Sequence, residues 1–323
     1  MNSSKNSRKK LRIKPRIIVI LGPTASGKSD LAVKIARFLC SPKIKIKFGI
    51  NGAEIISADS RQVYRGLNIG TGKIKSGEML GIRHHLLDVT SAKKQFTVVD
   101  YQKLASRALK EILKRNRAPI ICGGTGFYID ALVYDYRLPE VKPDLKLRKK
   151  LARLRAATLH AMLMDIDPRR AKTIDPHNPR RLIRALEIVM HLNKPVPESP
   201  KKESPYSVLK LGVTSPWPKL KQQIEMRLKK GINEGLLKEV SILHKRGLSW
   251  RRMRELGLEY RYAAEYLTGK IKTKQAFELE LAQAIKNYAQ RQITWFRKDP
   301  TIRGIKNFKQ IKRETVSFLS GVT

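Results

Sequence analysis

Apolar runs and helical repeats alternate along the first 136 residues of the chain. Three mainly apolar runs, each ending at glycine or at an acidic residue, are typical of strands, and the first, which is continuous, is typical of a strand buried on both faces of a parallel sheet. These runs cover residues 16–22, 53–59 and 118–124. Apolar residues recur every three or four positions from Leu31 to Leu39 and over residues 96–116, which indicates helices between the strands. The alternation predicts a doubly wound α/β fold.

The pattern changes after residue 136. Residues 142–184 carry no strand signal and hold thirteen Lys or Arg against four Asp or Glu, with apolar residues at helical spacing. A stretch rich in Pro, Ser and Lys follows at 193–207, then the strand-like run "SVLKLGVTS", and helices from Trp217 onward. We therefore predict a basic disordered tail, a catalytic α/β core in two pieces and an inserted basic helical subdomain. Their boundaries are 1–15, 16–136 with 206–323, and 137–205.

Positive charge exceeds negative charge by a wide margin. The 323 residues include 68 Lys or Arg and 27 Asp or Glu, so the formal net charge is +41. Such an excess favours nucleic acid as a partner, although a proteome that is basic throughout would produce it as well. No apolar run approaches the length of a membrane span, and no secretory signal follows the basic start. We therefore expect a cytoplasmic protein that binds no membrane.

The first predicted strand runs into a glycine-rich loop, "GPTASGKS", that fits the pattern G-x-x-x-x-G-K-[ST]. Its glycines let backbone N–H groups turn towards phosphate oxygens, and the N-terminus of the next helix adds a positive partial charge. Lys28 adds a full charge, and Ser29 offers a hydroxyl to Mg²⁺. The predicted phosphate-binding residues are Gly22, Pro23, Thr24, Ala25, Ser26, Gly27, Lys28 and Ser29.

The surroundings of this loop differ from those of a nucleoside triphosphatase, in which an apolar strand ends in Asp. The third run here ends in two glycines, and Asp88 follows only a short run with two histidines. The second run ends at Asp59, which places a carboxylate at the sheet edge where ligands bind. A carboxylate there suits proton transfer or a hydrogen bond to a substrate. An N-cap is the alternative for Asp59, and we expect Ser60 to take that place.

Six motifs in one order resemble the tRNA dimethylallyltransferase (tRNA isopentenyltransferase) family. They are "GPTASGKS", "ISADSRQVYRGLNIGTGK", "RHHLLDV", "GGTGFY", "NPRRLIRALE" and "RQITWFRKD". Without a C-x-x-C…H-x-H zinc element, the chain resembles the bacterial type. The resemblance implies a core like that of P-loop kinases, with an inserted helical domain that grips the anticodon stem. It also implies transfer of a dimethylallyl group from dimethylallyl diphosphate to N6 of the adenosine 3′ to the anticodon (position 37), with Mg²⁺ as cofactor and release of diphosphate.

The resemblance assigns three catalytic residues. Asp59 matches the family's catalytic aspartate, which would accept the proton of the attacking N6 amine. Thr24 matches a threonine near the reacting bridge of the diphosphate. Arg227, in "QQIEMRLKKG", matches an arginine at the reaction centre, although a solvated basic helix face is the alternative. Together with Mg²⁺ and the loop, Arg227 would stabilise charge on the departing diphosphate.

The resemblance also assigns contacts to tRNA. The target adenosine must leave the loop of the RNA to reach a buried catalytic group. The expected tRNA-binding residues are Asp59, Ser60, Arg61, Gln62, Thr125, Arg180, Arg181, Arg184, Arg254 and Arg261. The last two belong to a segment, 254–261, that departs from the commoner Gly-Tyr-Arg/Lys form. We expect a monomer that binds the anticodon stem-loop.

Three features carry weaker signals. Cys40 and Cys122 stand far apart in apolar surroundings, and we expect buried thiols, not metal ligands or a disulfide. We expect a structural role for His84 and His85. The segment 41–54 is longer than the family needs, and we expect an extra hairpin there.

Two other functions fit part of the sequence. A small-molecule or nucleoside kinase would explain the glycine-rich loop, but neither the missing Asp-terminated strand nor the charge. A non-catalytic RNA-binding protein would explain the charge, but it would leave Asp59 and the loop without a purpose.

Overall fold

The structure, a computed structural model of the chain, describes residues 14–136, 138–197 and 203–321. The chain divides into two compact units. The core unit is Met1–Asp135 with Glu203–Thr323, and the helical unit is Tyr136–Lys202. Most of the predicted basic tail, residues 1–13, lies outside the described residues.

Six strands form the main sheet of the core unit, and a further pair stands apart. In chain order the strands are β1 (Arg16–Leu21), β2 (Ala53–Ser57), β3 (Tyr64–Arg65), β4 (His84–His85), β5 (Thr90–Ser91), β6 (Ala118–Gly123), β7 (Ser207–Val213) and β8 (Ile302–Ile305). The main sheet has the order β4-β2-β6-β1-β7-β8, and its neighbouring strands are all parallel. The pair β3-β5 is parallel too.

Helices connect the strands and continue after β7. In chain order they are α1 (Lys28–Leu39), α2 (Pro42–Phe48), α3 (Ser76–Met79), α4 (Val98–Lys114), α5 (Gly126–Val133), α6 (Leu145–Leu151), α7 (Ala156–Ile166), α8 (Pro168–Thr173), α9 (Pro179–Leu192), α10 (Trp217–Asn233), α11 (Leu236–Lys245), α12 (Trp250–Met253), α13 (Leu258–Leu267), α14 (Lys274–Arg297) and α15 (Phe308–Ser320). Helices α6 to α9 belong to the helical unit. Over the described residues, none of these helices has the length and apolar character needed to cross a membrane.

The side chains of β1 show why the sheet is covered on both faces. Ile18 and Ile20 belong to an apolar cluster with α1 and α15. Ile17 and Val19 point the other way and pack with α4 and α5. Alternation along a strand sends neighbouring side chains to opposite faces, so an unbroken apolar run requires two covering layers. The predicted doubly wound α/β fold is confirmed.

The segment 41–54 contains helix α2, so the predicted hairpin is wrong. Alternating Lys and Ile residues in this segment resemble a strand. Of the two isoleucines in α2, however, Ile44 is buried, whereas Ile46 is 83% exposed. Pro42 stands in the first helical turn, and Gly49 ends the helix with a positive φ of 60°. Proline suits the first turn and glycine the end of a helix, so these two residues outweigh the alternation.

The chain after Trp217 is not wholly helical, contrary to the prediction. Strand β8 pairs with β7 at the edge of the sheet. In this strand Ile305 is fully buried, whereas Arg303 and Gly304 are exposed. A short strand at the edge of a sheet pairs with one neighbouring strand and buries few side chains. Its sequence therefore contains few apolar residues and gives only a weak strand signal.

Candidate active site

The sheet order brings three sequence-predicted segments to one edge. The phosphate loop, residues 22–27, follows β1; Asp59 follows β2; and Thr125 follows β6, which lies between β1 and β2. The carboxyl ends of parallel strands meet at the same edge. Two hydrogen bonds join the segment after β2 to the segment after β6. The Thr125 N–H donates to the Ala58 carbonyl at 3.2 Å, and the Ser60 N–H donates to Thr125 Oγ1 at 3.1 Å.

The phosphate loop has the shape of an anion cradle. Ala25 and Gly27 have positive φ angles of 63° and 80°, and α1 begins directly after Gly27. A Cβ at Gly22 would lie 2.9 Å from Ser26 Oγ, so the tight turn requires glycine there. The Ser26 hydroxyl is buried and has no hydrogen-bond partner in the part of the chain described. A buried hydroxyl without a partner is costly, so the loop fits a ligand that brings oxygen acceptors.

Lys28 lies at the base of this cradle. Its Nζ donates to the Pro23 carbonyl at 3.1 Å. Burial lowers the pKa of the Lys28 ammonium and the nearby Arg227 lowers it further, while the carboxylate of Asp59 opposes the shift. Two cations that share a poorly solvated place are stabilised by an anion between them. The electrostatics therefore favour a phosphate group beside Lys28.

Arg227 of α10 is the second cation of the cradle. Its guanidinium donates to Thr24 Oγ1 at 3.3 Å and to the Thr71 carbonyl at 3.0 Å. The residue after Thr71 is Gly72, which has a φ of 54°, and a Cβ at this position would overlap the guanidinium of Arg227. Helix α10 carries several lysines, but Arg227 is the residue of this helix that reaches the phosphate loop in the described structure.

One oxygen of Asp59 shapes the loop after β2. Asp59 Oδ1 accepts the N–H groups of Arg61 at 2.8 Å and Gln62 at 3.3 Å. Asp59 itself therefore closes the turn, and the expectation that Ser60 would cap it is wrong. An Asp side chain reaches the N–H two residues further on more readily than Ser does. Within the described residues Oδ2 receives no hydrogen bond, so this oxygen is available to a substrate.

Two further ionisable side chains, which the sequence interpretation missed, lie near Asp59. Burial raises the pKa of the Glu259 carboxyl, and the charge of Asp59 raises it further. Burial also raises the pKa of the Tyr288 phenol, with Asp59 again contributing, to about 12. In the surroundings of Asp59 burial therefore disfavours further negative charge. Because Glu259 lies in the first turn of α13, the sequence alone suggests a helix-stabilising acid there.

A carboxylate on α11 fixes the loop that Arg227 touches, and the sequence interpretation missed it as well. Glu239 accepts the backbone N–H groups of Asn68, Ile69 and Gly70 at 2.9 to 3.3 Å. It also accepts the hydroxyl of Tyr260 at 2.7 Å. Glu239 therefore holds the turn that leads to Thr71 and Gly72. Sequence spacing gives no signal for a contact across about 170 residues.

Several predicted tRNA-binding residues of the core unit already have protein partners. The Gln62 amide donates to the Thr71 and Gly72 carbonyls at 3.4 and 3.3 Å. The Arg61 guanidinium donates to the Glu255 carbonyl at 3.1 Å. Arg261 Nε donates to the carbonyl of Arg254 at 3.1 Å. These bonds orient the side chains and leave the remaining guanidinium donors for other partners.

The predicted tRNA-binding residues of the helical unit differ in their surroundings. Arg180 and Arg181 are exposed in the first turn of α9. Arg184 is half-buried and donates to the carboxylate of Glu187 at 2.5 Å and to the Val141 carbonyl at 3.0 Å. Glu187, which is 1% exposed, also accepts a bidentate pair from Arg148. The charge of Arg184 is thus paired within its own unit.

The remaining predicted residues have structural partners. Asp88 pairs with the buried Lys73, so it is not available as the strand-end aspartate of a triphosphatase. His85 binds the buried Glu54 at 2.6 Å, and His84 binds a backbone carbonyl. Cys122 is buried, which raises the pKa of its thiol to about 11, whereas Cys40 is only half-buried. No group of three metal-binding His, Cys, Asp or Glu occurs among the described residues.

Comparison with known proteins shows the family of the chain. Residues 62–299 match the family model of the IPP transferases. The chain belongs to the IPP transferase family. It is 39% identical over 290 residues to the tRNA dimethylallyltransferase of Geobacillus thermodenitrificans, with 87% of each chain covered. It is 38% identical over 299 residues to that of Pelotomaculum thermopropionicum, with 91% of each covered.

A solved structure of a relative agrees with this membership, and a second one shares the fold. The tRNA isopentenylpyrophosphate transferase of Bacillus halodurans is 32% identical, covers 96% of both chains and superposes with a TM-score of 0.68. A eukaryotic dimethylallyltransferase acting on tRNA superposes with a TM-score of 0.75 over 96% of this chain and 80% of its own. At 23% identity the second similarity shows the fold alone.

Proposed function

We propose that this IPP transferase family member transfers a dimethylallyl group from dimethylallyl diphosphate to N6 of the adenosine 3′ to the anticodon of tRNA. One arrangement carries the proposal: the open carboxylate oxygen of Asp59 lies at the same sheet edge as a phosphate cradle with two cations. A phosphate cradle suits the leaving group, and a carboxylate suits the attacking amine. The relatives' names support the same reaction class.

The chemistry divides between the two sides of the edge. The N6 amine of adenine is a weak nucleophile because its lone pair is delocalised into the ring. Asp59 Oδ2 would accept an N6 proton as the new C–N bond forms, while Oδ1 keeps the carboxylate in place. As the allylic C–O bond breaks, negative charge grows on the diphosphate. Lys28, Arg227 and the N–H groups of the phosphate loop would stabilise that charge.

We propose Mg²⁺ as the cofactor, with the Ser29 hydroxyl as its protein ligand. Ser29 carries a hydroxyl in the first turn of α1, directly after Lys28. A hydroxyl, diphosphate oxygens and water form a set of hard oxygen donors of the kind that Mg²⁺ prefers, so the residues fit the ion. When bound, Mg²⁺ would neutralise part of the charge of the diphosphate.

The helical unit is proposed to bind the anticodon stem. Its exposed Arg180 and Arg181 suit phosphate contacts, which supply most of the affinity for nucleic acid. Thr125 and residues 60–62 flank the proposed base Asp59, and we propose that they contact the flipped adenosine.

The proposed function is tested with unmodified tRNA, dimethylallyl diphosphate and Mg²⁺, followed by mass analysis of the nucleosides. We expect adenosine to gain the mass of one dimethylallyl group, and diphosphate to appear in equal amount. A parallel reaction with ATP in place of the prenyl donor tests the kinase alternative. Unchanged adenosine in the first reaction would refute the proposed function.

A further inference from the structure

Helix α14 places a polar side chain where its pattern calls for an apolar one. The buried residues of this helix are Phe277, Leu281, Ile285, Ala289 and Gln292, so the glutamine continues an apolar seam. Gln292 is 6% exposed. A buried amide without partners is destabilising, so its hydrogen bonds show what it is for.

Both ends of the Gln292 amide bind backbone groups of the active-site edge. Oε1 accepts the N–H of Thr24 in the phosphate loop at 2.8 Å. Nε2 donates to the carbonyl of Gly124, in the turn after β6, also at 2.8 Å. One partner is a donor and the other an acceptor, so only one orientation of the amide satisfies both. A Cβ at Gly124 would overlap Nε2, so the approach requires glycine at that position.

The two segments that Gln292 joins carry opposite halves of the site. Thr24 receives the hydrogen bond from Arg227, on the side of the diphosphate. Thr125, directly after Gly124, receives the N–H of Ser60, on the side of the carboxylate Asp59. Trp295, in the next turn of α14, packs closely against the segment after β6, since a Cβ at Gly126 would overlap its indole. The amide is thus a bridge between the cradle and the acceptor side.

We propose that Gln292 is a positioning residue for prenyl transfer, which sets the distance between the diphosphate cradle and the Thr125–Asp59 side through its two backbone hydrogen bonds. The proposal rests on the proposed function. Few side chains of this length can replace the amide. Methionine has neither group, and an ionised glutamate cannot donate to Gly124 and places a negative charge beside the diphosphate.

The first test compares Gln292→Met with Gln290→Glu, an exposed glutamine of the same helix. Steady-state prenyl transfer gives kcat and KM, a filter assay gives the Kd for tRNA, and thermal unfolding reports the fold. We expect Gln292→Met to lower kcat about 100-fold, the scale of a displacement of about 1 Å in a reacting geometry. The Kd for tRNA should stay within about twofold, and Gln290→Glu should behave as wild type.

The second test uses Gln292→Glu, whose neutral acid can accept from Thr24 through its carbonyl and donate to Gly124 through its hydroxyl. At pH values above the pKa of the new carboxyl, the ratio of its kcat to that of the wild type should rise about tenfold for each unit by which the pH is lowered. A purely space-filling role predicts a ratio that does not change with pH. This test remains decisive if the methionine variant fails to fold.

Three outcomes would overturn the positioning role. They are a kcat of Gln292→Met within about threefold of wild type, a loss of tRNA affinity equal to the loss of kcat, and a pH-independent ratio for Gln292→Glu. An inactive wild-type enzyme in the same assay would instead refute the proposed function. Activity of the wild type therefore separates the two failures.

Discussion

Arginines at the carboxyl edge of the sheet and arginines in the helical unit have different partners. Arg227 donates to the Thr24 hydroxyl and to a backbone carbonyl, and no carboxylate pairs with it among the described residues. In the helical unit Arg148 and Arg184 share the buried carboxylate of Glu187. The edge leaves the charge of Arg227 available to an anion, whereas the charges of Arg148 and Arg184 hold helices of their own unit together. The partner of an arginine, not its residue type, decides between the two roles.

The strongest test of the edge as the catalytic region is Asp59→Asn. Asparagine keeps an Oδ1 that accepts the N–H groups of Arg61 and Gln62, so the turn should survive, but it cannot take a proton. We expect the rate of prenyl transfer to fall about 10²- to 10⁴-fold, with tRNA binding retained. Single-turnover rates with saturating tRNA measure the loss.

Asp175→Asn is the matched control for this substitution. Asp175, in the helical unit, also accepts the N–H of the residue two positions on, at 3.0 Å from His177, so its variant changes the same chemistry in the other region. It should react at the wild-type rate. Full activity of Asp59→Asn would disprove the role of Asp59 as the base.

The free charge of Arg227 can be displaced without mutating the arginine. Gly72→Ala places a methyl group where the guanidinium lies, at a φ of 54°. We expect kcat to fall about 100-fold, the scale of losing one donor to a developing anion, with a fold cost of about 1 kcal/mol. Gly77→Ala, which meets no atom within 4 Å, is the control. Equal kcat values for the two variants would contradict the role of Arg227.

Much of the core unit could be predicted because its signals are local. The unbroken run of β1, the glycine-rich loop and the repeat of α1 each lie within about twenty residues. Local signals failed where the surroundings decide the structure. The alternating "KIKIK" of α2 resembles a strand, but its end residues and lack of a sheet neighbour make it a helix. The short edge strand β8 buries too little to be visible in the sequence.

The active site was predictable in its motifs but not in its supports. Asp59, Lys28 and Thr24 stand in motifs with a recognisable spacing. Gln292 and Glu239 act through contacts across roughly 170 to 270 residues, which no local pattern encodes. A polar residue in the apolar seam of α14 was the one available signal for Gln292. Burial likewise separates Arg184 from Arg181, although both stand in the same "RRLIR" motif.

Arg181 and Arg184 allow the two roles of arginine to be compared within the helical unit. Arg184→Gln should lower the free energy of unfolding of this unit by about 2 kcal/mol, because Glu187 loses a charged hydrogen-bond partner. Arg181→Ala should leave stability unchanged and reduce the slope of log affinity for tRNA against log salt by about 1. Denaturant titration and salt-dependent filter binding measure the two effects. If Arg181→Ala left the slope of log affinity against log salt unchanged, the predicted contact between Arg181 and a tRNA phosphate would be contradicted.

The smallest expected effect is the pH dependence of the same cluster. Burial opposes the ionisation of Glu187, but hydrogen bonds from Arg148 and Arg184 outweigh it and hold its pKa below the ordinary 4.5. The folded pKa is then lower than the unfolded one. The carboxylate therefore stabilises the fold fully above pH 4.5, and this contribution is lost as the pH falls through the folded pKa.

Glu187→Gln removes the ionisation and tests this dependence. Its free energy of unfolding should lie below that of the wild type at neutral pH, and the difference should shrink as the pH falls below 4.5. Glu54→Gln is the counterpart in the core unit, where hydrogen bonds from His85 and Arg115 outweigh burial and lower the pKa of Glu54 in the same direction. Neither substitution touches the edge, so prenyl transfer at neutral pH should persist in the folded variants. A difference that stays constant with pH would show that the arginines of the helical unit are not held by an ionised glutamate, and the contrast with Arg227 would lose its electrostatic basis.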